Sequence, residues 1–214
     1  MTARCEELVR TFKEHGYKMT PQRRAILEAI AVPGAHPTAE QIHEAVLARM
    51  PDTSLATVYN MLRELAAKHG KKIMMWGDII LQHPDHLEQV PKDTIMLTWG
   101  YGDRPSFENQ IIPFAESGYE FFVCPGVSNW SRILPDFGVA TSNIYHFVRD
   151  GAKHGALGML NTAWEDDGEA LNAPKWHAYA WGAECAWNAS TTTPDDFNRR
   201  VGAVLFGEQG NHFG

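Results

Sequence analysis

The residues best suited to chemistry are tryptophans set among polar neighbours. All seven, Trp76, Trp99, Trp130, Trp164, Trp176, Trp181 and Trp187, lie beyond residue 70. Four stand in short mixed clusters: Trp76-Gly77-Asp78, Trp99-Gly100-Tyr101, Asn129-Trp130 and Trp164-Glu165-Asp166-Asp167. An indole face is a flat apolar platform on which a sugar ring can rest while carboxylates and amides take its hydroxyls. Trp76, Asp78, Trp99, Tyr101, Trp130, Trp164, Glu165 and Asp166 are therefore candidate carbohydrate contacts. Core packing is the competing reading, preferred for Trp181 and Trp187 on a nearly all-apolar helix and evenly balanced for Trp76, Trp99 and Trp164. No spacing pairs two of the carboxylates as acid and base, so no catalytic residue is assigned. A second polar set, Arg23, Arg24, Ser54, Thr57, Tyr59 and Asn60, lies in the opposite half of the chain. Cys5, Cys124 and Cys185 are odd in number and far apart with no C-x-x-C pair, which argues against a disulfide framework and a thiolate zinc site. Neither a metal nor a cofactor is expected.

The elements that must position these residues fall into two modules. Residues 1 to 65 hold eight basic and eight acidic side chains, so the whole net charge of −7 resides in the remainder. The acidic, tryptophan-rich composition of that remainder suggests a boundary, with domains at 1–69 and 70–214. The N-terminus lacks a basic region followed by an apolar stretch, and no apolar run approaches a membrane span, so a cytoplasmic protein with no membrane partner is expected.

The first module reads as helices. Leu8, Val9 and Phe12 mark a short amphipathic stretch ending at Gly16. Thr20-Pro21 offers an N-cap followed by proline at the first helical position, with Ile26, Leu27 and Ile30 as the buried stripe. Thr38-Ala39-Glu40-Gln41 is a capping box opening a third helix with Ile42 and Val46 inward. Ser54 caps a fourth, on which Leu55, Val58, Leu62 and Leu65 share one face until Gly70 stops it. Ala56, Thr57, Tyr59, Asn60 and Arg63 fall outside that stripe, as a helix-turn-helix needs in order to present a reading surface to the major groove.

From Lys71 short apolar runs alternate with helical stretches. Lys72–Trp76, Thr94–Thr98, Glu120–Cys124 and Ala156–Leu160 read as buried parallel strands, with 107–117, 139–154 and 175–188 as crossover helices. The mixed tryptophan clusters follow directly after the strands, which in a β/α barrel is the functional face. Periodicity alone would suit many small helical bundles in the first module; with the resemblances that follow, the fold class implied is α + α/β: a helical, winged-helix-type DNA-binding head followed by four β/α units of an incomplete TIM-type barrel.

Three runs in the first module, Met19-Thr20-Pro21-Gln22-Arg23-Arg24-Ala25-Ile26-Leu27, His36-Pro37-Thr38-Ala39-Glu40-Gln41-Ile42 and Ser54-Leu55-Ala56-Thr57-Val58-Tyr59, closely resemble the winged-helix head of the ferric uptake regulator (Fur) family over about residues 1 to 65. The resemblance implies a DNA partner, with Tyr59 and its neighbours meeting bases and Arg23 or Arg24 meeting phosphate. Asn60 departs from the family, which has arginine after that tyrosine, and removes a positive charge from the reading face. The dimerisation half of the family, with its His-rich and Cys-x-x-Cys metal sites, does not follow residue 70. His36 matches a family ligand position but lacks its partners, and a surface histidine is the safer reading. A head without its dimeriser and with no net charge should bind DNA weakly as a monomer.

The second module resembles another family. Gly70–Asp78, Thr94–Tyr101, Val123–Val127 and Gly158–Trp164 look like the C-terminal half of a family-twenty glycoside hydrolase barrel, over about residues 66 to 206. This implies strands five to eight of a β-N-acetylhexosaminidase-like domain and an amino sugar such as N-acetylglucosamine as ligand, with Trp76, Trp99 and Trp164 around the ring and Glu165 or Asp166 on its hydroxyls. The family's Trp-x-Glu is replaced by Trp164-Glu165-Asp166. The family works by substrate assistance: the acetamido oxygen attacks the anomeric carbon, an Asp orients it, and the adjacent Glu protonates the leaving oxygen. This chain contains no Asp-Glu dipeptide, so little or no hydrolysis is expected, the alternative being a fragment active only with its missing half. Half-barrel edges also invite self-association. One further alternative at the join makes Lys71–Trp76 and Ile79–Gln82 the hairpin wing after the recognition helix. A chimera of the two parts, natural or accidental, is the organisation these resemblances imply.

Overall fold

A computed structural model describes residues 2–34, 37–166, 168, 170–188 and 191–207; of His86, Gln89, Leu205 and Phe206 only the backbone is described. His36 and Asp167, singled out above, lie outside the described residues. The chain forms two compact units, 1–73 and 74–214.

The first unit is four helices: α1 (Ala3–Glu14), α2 (Pro21–Ile30), α3 (Ala39–Leu47) and α4 (Leu55–Lys68). Each begins where a hydroxyl side chain can accept from an otherwise unpaired first-turn N–H. Thr2 accepts from Cys5, Thr20 from Arg23 with Pro21 next, Thr38 from Gln41 within a reciprocal capping box, and Ser54 from Thr57. Gly70, at φ 61°, provides the left-handed residue just past α4. The inward stripes meet in one core: Cys5, Val9 and Phe12 from α1, Ala25, Ile26 and Leu27 from α2, Ile42 and Val46 from α3, Val58 and Met61 from α4. Lys68 closes its edge, with Nζ 3.4 Å from the Phe12 ring centroid and 3.8 Å from that of Tyr17. Both ring faces attract the ammonium.

The second unit is a four-stranded sheet, β1 (Met74–Trp76), β2 (Ile95–Trp99), β3 (Phe121–Cys124) and β4 (Gly158–Met159), all parallel and in the order β1-β2-β3-β4. Register pairs Trp76 with Leu97, Trp99 with Cys124 and Val123 with Met159. Between and after the strands come α5 (Asp78–Gln82), a 3₁₀ segment (Pro84–Gln89), α6 (Glu108–Glu116), α7 (Phe137–Lys153), α8 (Lys175–Trp187) and α9 (Pro194–Phe206). Met96, Phe121 and Val123 of the sheet pack with Ile111 and Phe114 of α6, Ile144, Phe147 and Val148 of α7, and Ala178, Trp181 and Cys185 of α8. Central strands β2 and β3, apolar but for Thr98, whose hydroxyl donates to the Gln110 carbonyl, suit a parallel sheet.

Two expectations change, and one alternative is set aside. No hairpin wing follows the recognition helix: Met74–Trp76 pairs in parallel with β2 and Asp78–Gln82 is helical, so the stretch on either side of Gly77-Asp78 is strand, then helix. Parallel pairing of Met74, Met75 and Trp76 with Ile95, Met96 and Leu97 takes the place of the turn. Trp187 is not core: Trp181 is buried, but Trp187, the last residue of α8, is 87% exposed. The strand expected over Ala156–Leu160 is ladder-paired only at Gly158–Met159. Of the expected incomplete barrel, the structure shows four parallel strands alternating with helices in one sheet, not a barrel.

Candidate nucleic-acid face and tryptophan cleft

In the first unit, α3, the turn at 48–54 and α4 make the helix-turn-helix. On α4, Ala56, Tyr59, Asn60 and Arg63 are exposed and Thr57 is partly so, while Val58 and Met61 are buried. This division follows the 3.6-residue period, which sends the small and polar side chains outward as soon as the apolar stripe is satisfied. Ser54 is engaged as the helix cap, its Oγ accepting the Thr57 N–H at 3.2 Å and lying 3.0 Å from the Thr57 hydroxyl. Arg23 makes a 2.9 Å ion pair with Glu64 and donates to the Lys18 carbonyl. Arg24 is half-buried on α2. The Tyr59 hydroxyl donates to Glu40 at 2.8 Å. Burial first, and then that carboxylate, pushes its pKa up to about 12.

In the second unit, Trp76, Asp78, Trp99, Tyr101, Trp130, Trp164 and Asp166 line one cleft of about 460 Å³ at the C-terminal ends of the strands. Trp76 and Trp99 are the last residues of β1 and β2, and Trp130 and Trp164 come from the segments after β3 and β4. Trp99 stacks on Tyr101 with ring centroids 5.1 Å apart, and Tyr101 meets Trp130 at 4.8 Å. Trp76 and Trp164, from the ends of the two outermost strands, meet at 6.3 Å. The Trp164 indole N–H donates to the Tyr101 hydroxyl at 2.5 Å, which also lies 3.2 Å from the Thr162 hydroxyl. Burial raises the Tyr101 pKa above its ordinary value. The two outermost rims, Trp76 and Trp164, are 38% and 40% exposed, so both offer an indole surface to a ligand.

Backbone clamps hold this arrangement. Asn129 grips the Trp164 main chain from both sides, donating to its carbonyl at 2.6 Å and accepting its N–H at 3.2 Å. Asn143, fully buried on α7, donates to the Gly100 and Gly102 carbonyls and accepts the Gly126 N–H at 3.0 Å. Gly126 is required by close approach: a Cβ there would stand 2.8 Å from the Tyr101 ring and 3.0 Å from Trp130.

Glu165 does not join the cleft. Its carboxylate is bound by the ammonium of Lys175, a side chain 2% exposed that also donates to Asn172 at 2.9 Å. A buried ammonium needs a counter-charge more than the cleft, which already holds Asp78 and Asp166, needs a third carboxylate. The sequence reading missed Lys175, Asn143 and Glu40. Asn143 left a signal, a lone amide in the Ala140, Ile144, Phe147, Val148 stripe. Lys175 and Glu40 left none, since lysine and glutamate near helix starts are ordinarily solvated.

The chain's residues 14–71 match the model of the ferric uptake regulator family. Over 73 residues the chain is 44% identical to the peroxide operon regulator of Bacillus subtilis, a stretch that is 34% of this chain and 50% of that protein. It is 40% identical over 73 residues to the peroxide-responsive repressor PerR of Staphylococcus saprophyticus, and 36% to that of Staphylococcus epidermidis, in each case 34% of this chain and 49% of the relative. The chain thus spans about half the length of the curated relatives it matches. An N-terminal Fur-family domain occupies residues 14–71. Among the described residues no three His, Cys, Asp or Glu side chains gather as a metal site, and no helix is long and apolar enough to cross a membrane.

Proposed function

We propose that this is a DNA-binding regulator-like protein whose head lays α4 in the major groove, joined to a sugar-binding segment of a β/α barrel. The observation that carries the DNA reading is the capped α4 exposing Ala56, Tyr59, Asn60 and Arg63 behind a helix-turn-helix, in the stretch that matches the family. The relatives' names make transcriptional repression the activity to expect of such a head. With balanced charge through residue 65, the head gains little from counterion release and binds DNA weakly alone.

The sugar reading rests on the cleft of four tryptophans, Tyr101, Asp78 and Asp166. Sequential parallel order puts right-handed crossovers on one face of the sheet. The meeting of Trp76 with Trp164 across the sheet's width is what a curled, half-closed barrel would produce. An amino sugar such as N-acetylglucosamine is the proposed ligand, stacked on an indole and held without hydrolysis. The test pairs two assays on the full chain. Titration with N-acetylglucosamine should change tryptophan fluorescence in the wild type and not in Trp164→Ala, and a chromogenic N-acetylglucosaminide should release no product. Absence of any saccharide response would overturn the sugar reading, and turnover would replace it with the hydrolase.

A further inference from the structure

Tyr59 stands at the centre of the exposed face of α4, 44% exposed, and its hydroxyl is already committed. A phenol has one proton to donate, and that of Tyr59 goes to Glu40 Oε1 at 2.8 Å. Glu40 is the second residue of α3, in the helix-turn-helix itself. Its carboxyl is held below the ordinary range, foremost by its own backbone N–H, then by Tyr59 and Thr38. At neutral pH it is therefore an anion that accepts and cannot return a proton. With its pKa pushed up to about 12, Tyr59 keeps its proton at any pH at which the head would meet DNA.

The consequence concerns which bases the head tolerates, and it rests on the DNA reading proposed above. We infer that Glu40 sets a base preference by occupying the only proton Tyr59 can offer, so that guanine is disfavoured at the base pair beneath Tyr59. In the major groove guanine presents two acceptors, N7 and O6. A hydroxyl whose proton points at Glu40 turns lone pairs toward those acceptors, and the nearby carboxylate adds repulsion. Glu40 is thus a positioning residue for specificity, acting through Tyr59.

The experiment is selection of binding sites from a randomised duplex DNA library by the full chain, comparing wild type, Glu40→Ala, Glu40→Gln, Tyr59→Phe and the double variant Glu40→Ala with Tyr59→Phe. Wild type should show guanine depleted roughly tenfold at one position of the selected site, the scale of one good base contact. Glu40→Ala should remove that depletion. Glu40→Gln, whose amide oxygen still accepts from Tyr59, should keep it while binding all sequences more tightly for want of a negative charge. Beyond removal of the depletion, the hydroxyl freed in Glu40→Ala can donate to guanine, so Glu40→Ala should accept guanine better than the double variant, which has neither hydroxyl nor carboxylate and should be indifferent at that position. Thr38 and Gln41 still cap α3 in every variant, and equal helical circular dichroism verifies that they fold alike. An unchanged base profile in Glu40→Ala, or guanine accepted no better in Glu40→Ala than in the double variant, would overturn the inference while leaving the DNA reading intact. Failure of the wild type to select any sequence would overturn the DNA reading, and this inference with it.

Discussion

Replacing Asn143 should unseat the tryptophan cleft from beneath. Its side chain makes three hydrogen bonds to backbone groups of the segments after β2 and β3: the Gly100 carbonyl at 3.0 Å, the Gly102 carbonyl at 3.1 Å and the Gly126 N–H at 3.0 Å. The Gly100 and Gly126 groups are in buried bonds and the Gly102 carbonyl in a partly buried one. Asn143→Ala strands two groups away from water at about 1–3 kcal/mol each, about 4 kcal/mol together. For a unit of this size that lowers the melting temperature by about 15 °C. All seven tryptophans lie beyond residue 70, so fluorescence during urea or thermal unfolding follows the second unit without interference from the head. Asn143→Asp is the sharper variant. It keeps an acceptor for Gly126 but sets a carboxylate oxygen against two carbonyls, so at neutral pH it should be no more stable than Asn143→Ala. Its folded-state pKa would rise, so its deficit relative to wild type should narrow as pH falls toward the new value. A loss below about 1 kcal/mol in Asn143→Ala, or a neutral-pH Asn143→Asp as stable as wild type, would refute the clamp.

Other consequences follow from the same geometry. Three carboxyls of the second unit sit below their ordinary range: Glu108 at about 2, held foremost by hydrogen bonds from Lys153 and His154; Asp136 by the Val139 N–H; and Glu184 by Arg200. Each contributes stability above its unfolded value that is lost as pH falls through the folded value, so the unit should weaken progressively from about pH 4.5 toward 2, as read by tryptophan emission, and less so in Asp136→Asn. The thiols of Cys124 and Cys185 are pushed up to about 12 by burial, and that of Cys5 is raised chiefly by the same cause. Iodoacetamide at pH 8 should leave the native protein unlabelled and add three groups after denaturation, as counted by mass spectrometry. Ser54→Ala should cost the head about 1 kcal/mol through loss of the α4 cap, measured by far-ultraviolet circular dichroism on thermal unfolding, whereas Ser54→Asp should retain it.

How much of this was legible depends on how local the cause was. The head's helix starts are written in single residues, Thr20-Pro21, Thr38 with Gln41, and Ser54, and these appear where the hydroxyls stand. The four strands were readable as apolar runs because a parallel sheet buries its central strands on both faces, and Trp76, Trp99, Trp130 and Trp164 converge because each ends or follows a strand. Boundaries were less legible: β4 shrinks to Gly158–Met159 because ladder pairing depends on the neighbouring strand. Glu165 was misplaced because its partner, Lys175, is ten residues on and looked like an ordinary helix-start lysine. Trp187 misled because an apolar helix end can be left uncovered, and α9 was overlooked although Thr193-Pro194 has the same cap signature as Thr20-Pro21. Tyr59 was legible as exposed, but its bond to Glu40 depends on how α3 packs against α4, which no spacing within either helix encodes.

The measurement that bears most directly on the account is fluorescence anisotropy of a labelled DNA duplex, taken from the selected pool, titrated with the full chain across a series of salt concentrations. The account predicts weak binding that falls as salt rises, is abolished by Tyr59→Ala and is unchanged by Trp164→Ala. Binding that survives Tyr59→Ala, or that is lost instead in Trp164→Ala, would contradict it.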